Sequence, residues 1–246
     1  MQPAVVPLEC HQTFRFTCAP HVTCFNACCR NLNQALTPYD VLCLKQVLKM
    51  SSGDFLDRYT VESTGPGSGL PVVSLRFSDA DDLACPFVTD AGCRVYAARP
   101  ASCRTYPLAR GVSRDRETGR LSEHWALIRE PHCLGFKNGH RHTVNEWIDD
   151  QKIAAHNRMN DRMLELIGLK NQRRPGPLMP SETKRIYTAL YDLDAFRNDP
   201  FYRNRNLSTS ADNRTIDRSG TGDLDLLLVA MDWVRKYLLS FLPEQA

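Results

Sequence analysis

The sequence has no cysteine beyond position 133, although ten occur up to that point. It also lacks a dominant charge sign, a long uncharged apolar run and a leader-like N-terminus, and each absence excludes something. With 31 Lys and Arg against 28 Asp and Glu, the formal net charge is only +3. Composition therefore gives no electrostatic case for nucleic acid or an anionic membrane as an obligatory partner. The most apolar stretch, Leu224 to Leu242, carries Asp225, Asp232, Arg235 and Lys236. Each such charge costs about 2.5–3.5 kcal/mol at a helix centre in lipid, so the stretch reads as a buried amphipathic helix and no membrane span is expected. Before Cys10 there is no Lys or Arg, and Pro3 and Pro7 break the apolar run, which is not a secretory pattern. A cytoplasmic location is expected, and a reducing compartment disfavours disulfides. Ten cysteines in 246 residues also fall below the ~8–10% of disulfide scaffolds. Metal ligation is the better use of these thiols.

What is present is a grouping. Cys18, Cys24 and the adjacent Cys28 and Cys29 form one set, Cys85, Cys93 and Cys103 a second, and Cys133 stands alone. Thiolate sulfur selects zinc, cuprous copper and iron–sulfur clusters over hard cations, and eight cysteines suffice for two four-thiolate sites. If Cys24 to Cys28 is helical, those two share a face while Cys29 is turned by about a third of a revolution. The neighbouring thiolates then point apart, which suits two adjacent centres, or different irons, better than one tetrahedral ion. One ligand beside one buried thiol is the plainer alternative. Arg30, Arg94 and Arg104 each follow a cysteine directly. Guanidinium groups there would favour thiolate and offset the charge of a buried four-thiolate centre, although each also fits an ordinary surface position.

The expected fold class is α+β, mainly helical, with short strands around a cysteine-ligated metal core. The expected division is a cysteine module over 1–140 and a helical C-terminal region over 141–246 packed on it. Thr37, Pro38 and Asp40 form a helix start, and Ser51 to Asp54 ends that helix and caps a shorter one through Tyr59, both expected beside the cysteine motif. Val73, Leu75 and Phe77 alternate as a half-buried strand; short strands are expected around Arg94 to Tyr96, and Leu108 to Val112 should form a hairpin with Trp125 to Ile128, turning at Asp115 to Gly119. Thr143 and Glu146 make a capping box for one long helix ending near Gly168; another begins at Ser181 and stops at Asn198, and residues 203–223 form a polar loop. The glycines of Gly65-Pro66-Gly67-Ser68-Gly69 precede a strand and lack a following Gly-Lys-Ser/Thr, so they read as a plain loop.

Phe16-Thr17-Cys18, Cys24, Cys28-Cys29-Arg30, Leu36-Thr37-Pro38-Tyr39-Asp40, Cys85-Pro86-Phe87, Cys93-Arg94-Val95-Tyr96 and Arg99-Pro100-Ala101-Ser102-Cys103-Arg104-Thr105-Tyr106-Pro107 occur in that order. Together with Cys133, Gly135 and Gly139 they resemble the YkgJ-type cysteine-cluster family, described as zinc- or iron-chelating. Flagellin lysine methylases carry a similar cysteine pattern. The resemblance covers about residues 14–150 and implies that Cys18, Cys24, Cys28, Cys29, Cys85, Cys93, Cys103 and Cys133 hold the metal. The family spacing resembles Cys-x2-Cys-x2-Cys-Cys, whereas five residues separate Cys18 from Cys24 here and three separate Cys24 from Cys28. Cys10 and Cys43 fall outside the matching positions and are not assigned as ligands. His11, His21, His132, His140 and His142 have no diagnostic spacing.

Two readings follow. In the first, the chain is a cysteine-ligated metalloprotein carrying iron–sulfur clusters, with a redox role or, as the methylase resemblance implies, a protein-modifying one acting on a protein substrate. No radical-SAM triplet supports an enzyme of that class, since Asn31 stands where the third cysteine after Cys24 and Cys28 would be. In the second, zinc in closed thiolate sites stabilises a binding module without catalysis. All-cysteine ligation and the adjacent pair favour iron–sulfur.

Overall fold

The computed structural model describes residues 3–79, 82–115, 117–118, 120–137, 139–203, 208–209, 212–215 and 222–240. Helices and small antiparallel sheets make an α+β chain. It divides into two compact units, Met1–Leu32 with Phe77–His156, and Asn33–Arg76 with Asn157–Ala246.

The first unit is built on an antiparallel hairpin, Leu108–Arg114 with Leu121–Arg129, extended by the edge strand Ala4–Leu8. The turn forms where expected: the Asp115 carboxylate accepts from the Thr118 amide at 2.7 Å and the Glu117 amide at 3.0 Å. Strand alternation places Trp125 and Leu127 on the core face, joined by Phe14 and Phe16 from Thr13–Phe16, which pairs with His140–Thr143. Trp147 packs edge-on against Phe16 at 5.6 Å, and its indole Nε1 donates to the Thr105 carbonyl at 3.1 Å. That bond fixes the end of the short cysteine-bearing helix Ala101–Thr105 to the core.

The Thr143–Glu146 capping box is present, but the expected single helix is two, Val144–Asp150 and Ile153–Arg173. Lys152 adopts a left-handed φ of 52° at the break. The cause is tertiary: the Gln151 carbonyl accepts from Arg104 Nη1 at 2.8 Å, its side chain accepts from Arg99, and Ile153 is buried in the core. The second helix continues past Gly168, whose missing side chain would meet nothing within 4 Å. The strand expected at Arg94 to Tyr96 is displaced. Val88–Thr89 pairs with Gly92–Cys93, and a 3-10 turn follows at Tyr96–Ala98.

In the second unit Pro71–Leu75 is the central strand between Ala35–Leu36 and Thr60–Thr64. The helices expected beside the cysteine motif, Pro38–Leu48 and Ser52–Tyr59, belong here. The first has the full Thr37–Asp40 capping box with Pro38 at its first position, and Ser51 caps the second. Their apolar faces contribute Leu44 and Phe55 to a core shared with Ile186, Phe196, Leu226 and Trp233 from Pro180–Leu190, Leu193–Asn198 and Asp223–Leu239. The helix expected from Ser181 starts one residue earlier and is interrupted between Leu190 and Leu193. Lys45 in this unit is bridged to Asp223 at 3.0 Å and Asp194 at 3.3 Å. Among the described residues, no helix is long and apolar enough to cross a membrane. Of the polar stretch 203–223, Ser208–Thr209 pairs with Asp212–Thr215; most of the remainder lies outside the described residues.

Candidate metal centre

All eight cysteines expected as ligands belong to the first unit, and its backbone explains how three separate stretches meet. After Phe16 the chain descends through consecutive tight turns. Phe25 N–H donates to the Val22 carbonyl at 2.8 Å, Ala27 N–H to Cys24 at 3.0 Å, and Cys29 N–H to Asn26 at 3.0 Å. These end in a 3-10 turn, Ala27–Cys29, flanked by left-handed Asn26 and Asn31 at φ 67° and 51°. Asparagine tolerates that region, which stops an α-helix from forming. The helical phase expected for Cys24, Cys28 and Cys29 therefore does not apply.

The second stretch is hydrogen-bonded to the first. The Cys85 amide donates to the Cys29 carbonyl and the Asn31 amide to the Leu83 carbonyl, each at 2.9 Å, around an Arg30–Ala84 bridge. The hairpin then sets Cys93 opposite Val88. Its Gly92, at φ 115°, approaches the Phe25 ring so closely that a Cβ would lie 3.1 Å from it. The third stretch arrives on glycine. Thr17 N–H donates to the Gly135 carbonyl at 3.0 Å. A Cβ on Gly135 would stand 2.6 Å from the Thr17 carbonyl oxygen, and one on Gly139 2.5 Å from the Phe16 backbone. Only a residue without a side chain permits this approach, which brings Cys133 and Leu134 to the first loop. The Leu134 amide donates to Cys24 Sγ at 3.1 Å.

The thiols fall into two neighbourhoods. Cys18 is exposed as a residue, yet partial desolvation of its thiol and then Cys28, Cys24 and Cys133 push its pKa up to about 11, against the opposing pull of Arg99. Cys24 and Cys133 are also side-chain hydrogen-bond partners. Cys29 has Cys28, Cys85 and Cys103 around it, and Cys85 has Cys93. The adjacent pair does not point fully apart as expected: the Cys29 thiol donates to Cys28, drawing Cys28 down to about 7 and raising Cys29. Beyond that shared bond their neighbours differ, Cys18 for one and Cys85 and Cys103 for the other.

All ten cysteines are free, so no disulfide competes for these sulfurs. Among the described residues, no group of three or more His, Cys, Asp or Glu side chains stands at metal-coordinating geometry. The donor set nonetheless fits a soft metal. It is all sulfur, and peptide N–H groups reach the thiols at Cys24 from Leu134, at Cys85 from Phe87 and Val88, and at Cys133 from Gly135.

The arginines divide by role. Arg30 pairs with Asp82. Arg94 lies over the Phe87 ring at 5.3 Å, and its charge partly opposes the burial that raises the Cys85 pKa. Arg104 is buried and donates to the Ala97, Gln151 and Arg99 carbonyls at 2.7, 2.8 and 3.3 Å, so it organises the loop that carries Cys103. Two further residues of the site are not flagged by cysteine adjacency. Arg99 has its Nε buried without a partner and acts on Cys18. Tyr106 has a buried hydroxyl that lacks a partner of good geometry beside Cys133 and Glu130. Burial and those neighbours raise the tyrosine pKa. Both residues sit in the Arg99-to-Pro107 run, which is the signal the sequence offers for them. Cys10 is exposed and Cys43 lies in the second unit. His132 faces Glu130 at 3.5 Å, while His142 packs on Trp147 at 5.1 Å.

Residues 17–133 match the model of the CxxCxxCC family, whose description is "Putative zinc- or iron-chelating domain". No curated protein and no solved structure matches the chain. The matched span includes every one of the eight expected cysteines and ends on Cys133. A CxxCxxCC domain is thus found at residues 17–133, which is just under half of the chain.

Proposed function

We infer that the domain holds two neighbouring thiolate metal centres, one on Cys18, Cys24, Cys28 and Cys133, the other on Cys29, Cys85, Cys93 and Cys103, and that iron–sulfur clusters occupy them in a redox role. The observation that carries this reading is the split at the adjacent pair: Cys28 neighbours Cys18, whereas Cys29 neighbours Cys85 and Cys103. One tetrahedral ion gains little from two thiolates on consecutive residues, but two centres each gain one. Such clusters supply one-electron transfer when bound. The residues of the chain hold and tune them. Peptide N–H groups offset sulfur charge, Arg94 and Arg99 place positive charge near Cys85 and Cys18, and Tyr106 flanks Cys133.

Anaerobic purification with iron, zinc and acid-labile sulfide analysis tests this directly. A brown protein with broad visible absorption and inorganic sulfide supports the iron–sulfur reading. A colourless chain loaded with zinc overturns it in favour of a zinc-stabilised module. Cys28→Ser and Cys85→Ser should each remove one centre and leave part of the metal; complete loss in both, in protein that stays folded, contradicts the two-centre division.

A further inference from the structure

The glycine-rich stretch Gly65 to Gly69 plays no part in the thiol chemistry, yet in the second unit it lines a cleft of about 300 Å³ together with Gly176, Pro177 and Lys170. Lys170 comes from the last turn of Ile153–Arg173 and is only 1% exposed. Its ammonium donates to the Gly176 carbonyl, and no carboxylate pairs with it among the described residues. The neighbouring charge that acts on it is the like-charged Arg174, itself paired with Glu182. A buried ammonium with one neutral acceptor and no counter-ion is costly, and burial with Arg174 nearby lowers its pKa.

The loop is shaped around this group. Gly69 has φ +65°, and a Cβ there would lie 2.9 Å from both Lys170 Nζ and the Gly176 carbonyl oxygen. The buried Ser68 hydroxyl oxygen accepts from the Leu70 amide at 3.2 Å, leaving its proton to donate. Gly67 is the open side, where an added methyl group would meet nothing within 4 Å. We propose that this cleft binds a small oxyanion, with Lys170 as the counter-charge and Ser68 as a hydroxyl donor. It differs from a nucleotide phosphate loop in that its lysine arrives from a distant helix end and its glycines precede a strand.

The test is titration of the full-length chain with inorganic phosphate and, separately, acetate, followed by amide chemical shifts and by the thermal midpoint. Saturable binding of at least one anion, with a dissociation constant of about 1 mM or tighter and a matching rise in midpoint, is expected. Lys170→Met should weaken it by about tenfold or more. Because Lys170 also ties the Gly176 turn, Gly67→Val provides the second variant: it fills the cleft where space is free and should abolish binding without loss of fold. Absence of saturable binding for both anions overturns the site, and so does wild-type affinity in Gly67→Val. A response to phosphate alone identifies a tetrahedral oxyanion; a response to both admits carboxylates.

Discussion

The two units reach stability by different physics. The second closes over fully buried apolar side chains such as Leu44, Phe55, Ile186, Phe196, Leu226 and Val234, the first two carried on capped helices. The first has a smaller aromatic core, and its region from Thr17 to Leu32 is a succession of turns in which no residue is fully buried. A chain segment of that kind cannot offset its own conformational entropy by burial. The difference teaches where inorganic cross-linking is needed: in the part of the molecule that has little hydrophobic driving force.

The largest effect expected from this contrast is that of metal removal. Metal-coupled folding in thiolate domains reaches about 10 kcal/mol. Chelation should therefore abolish the cooperative transition of the first unit while the helical signal of the second persists, as read by near- and far-ultraviolet circular dichroism. Simultaneous loss of both signals would break the comparison. Next in size is Trp233→Ala, which removes a ring packed against Tyr202 at 4.9 Å and Tyr237 at 5.1 Å and should cost about 3–5 kcal/mol. Metal content per folded chain should not change. Gly135→Ala ranks third. Its Cβ would collide with the Thr17 carbonyl, and overpacking of this sort costs about 1–3 kcal/mol. Unlike Trp233→Ala, it should lower metal content as well, because the same contact brings Cys133 to the first loop.

Much of this was legible in the sequence where one local rule decides the outcome. The Thr37 helix start, the Thr143 capping box, the Asp115 turn and the 108–129 hairpin need only short-range hydrogen bonds, and all are present. Reading failed where distant partners decide. The helix break at Gln151 depends on Arg99 and Arg104, which lie 52 and 47 residues away. The 3-10 turn at Cys28 and Cys29 depends on left-handed asparagines and the ladder to Cys85. Cysteine identity pointed to the candidate centre, but its grouping required the Gly135 contact, whose consequence no spacing rule reveals. Arg104 follows a cysteine as expected, yet it is committed to three carbonyls.

The smallest effect sharpens the comparison furthest, because each unit has a helix capped by a threonine capping box. Thr37→Ala and Thr143→Ala each delete a side-chain acceptor for a helix N-terminal amide, from Asp40 at 3.3 Å and from Glu146 at 3.2 Å, and each should cost about 1 kcal/mol. If the units unfold separately, Thr37→Ala shifts only the second transition and Thr143→Ala only the first; a common shift would show one cooperative unit. The Thr143 box carries an additional pH signature. The Thr143 amide and hydroxyl hold the Glu146 carboxyl below its ordinary value of 4.5, so its stabilisation is fully present above that value and disappears as pH falls through the lowered pKa. Glu146→Gln should therefore lower the first transition at neutral pH and converge with the wild type in acid below that pKa. A difference that grows on acidification would reverse the sign and refute the cap as its origin.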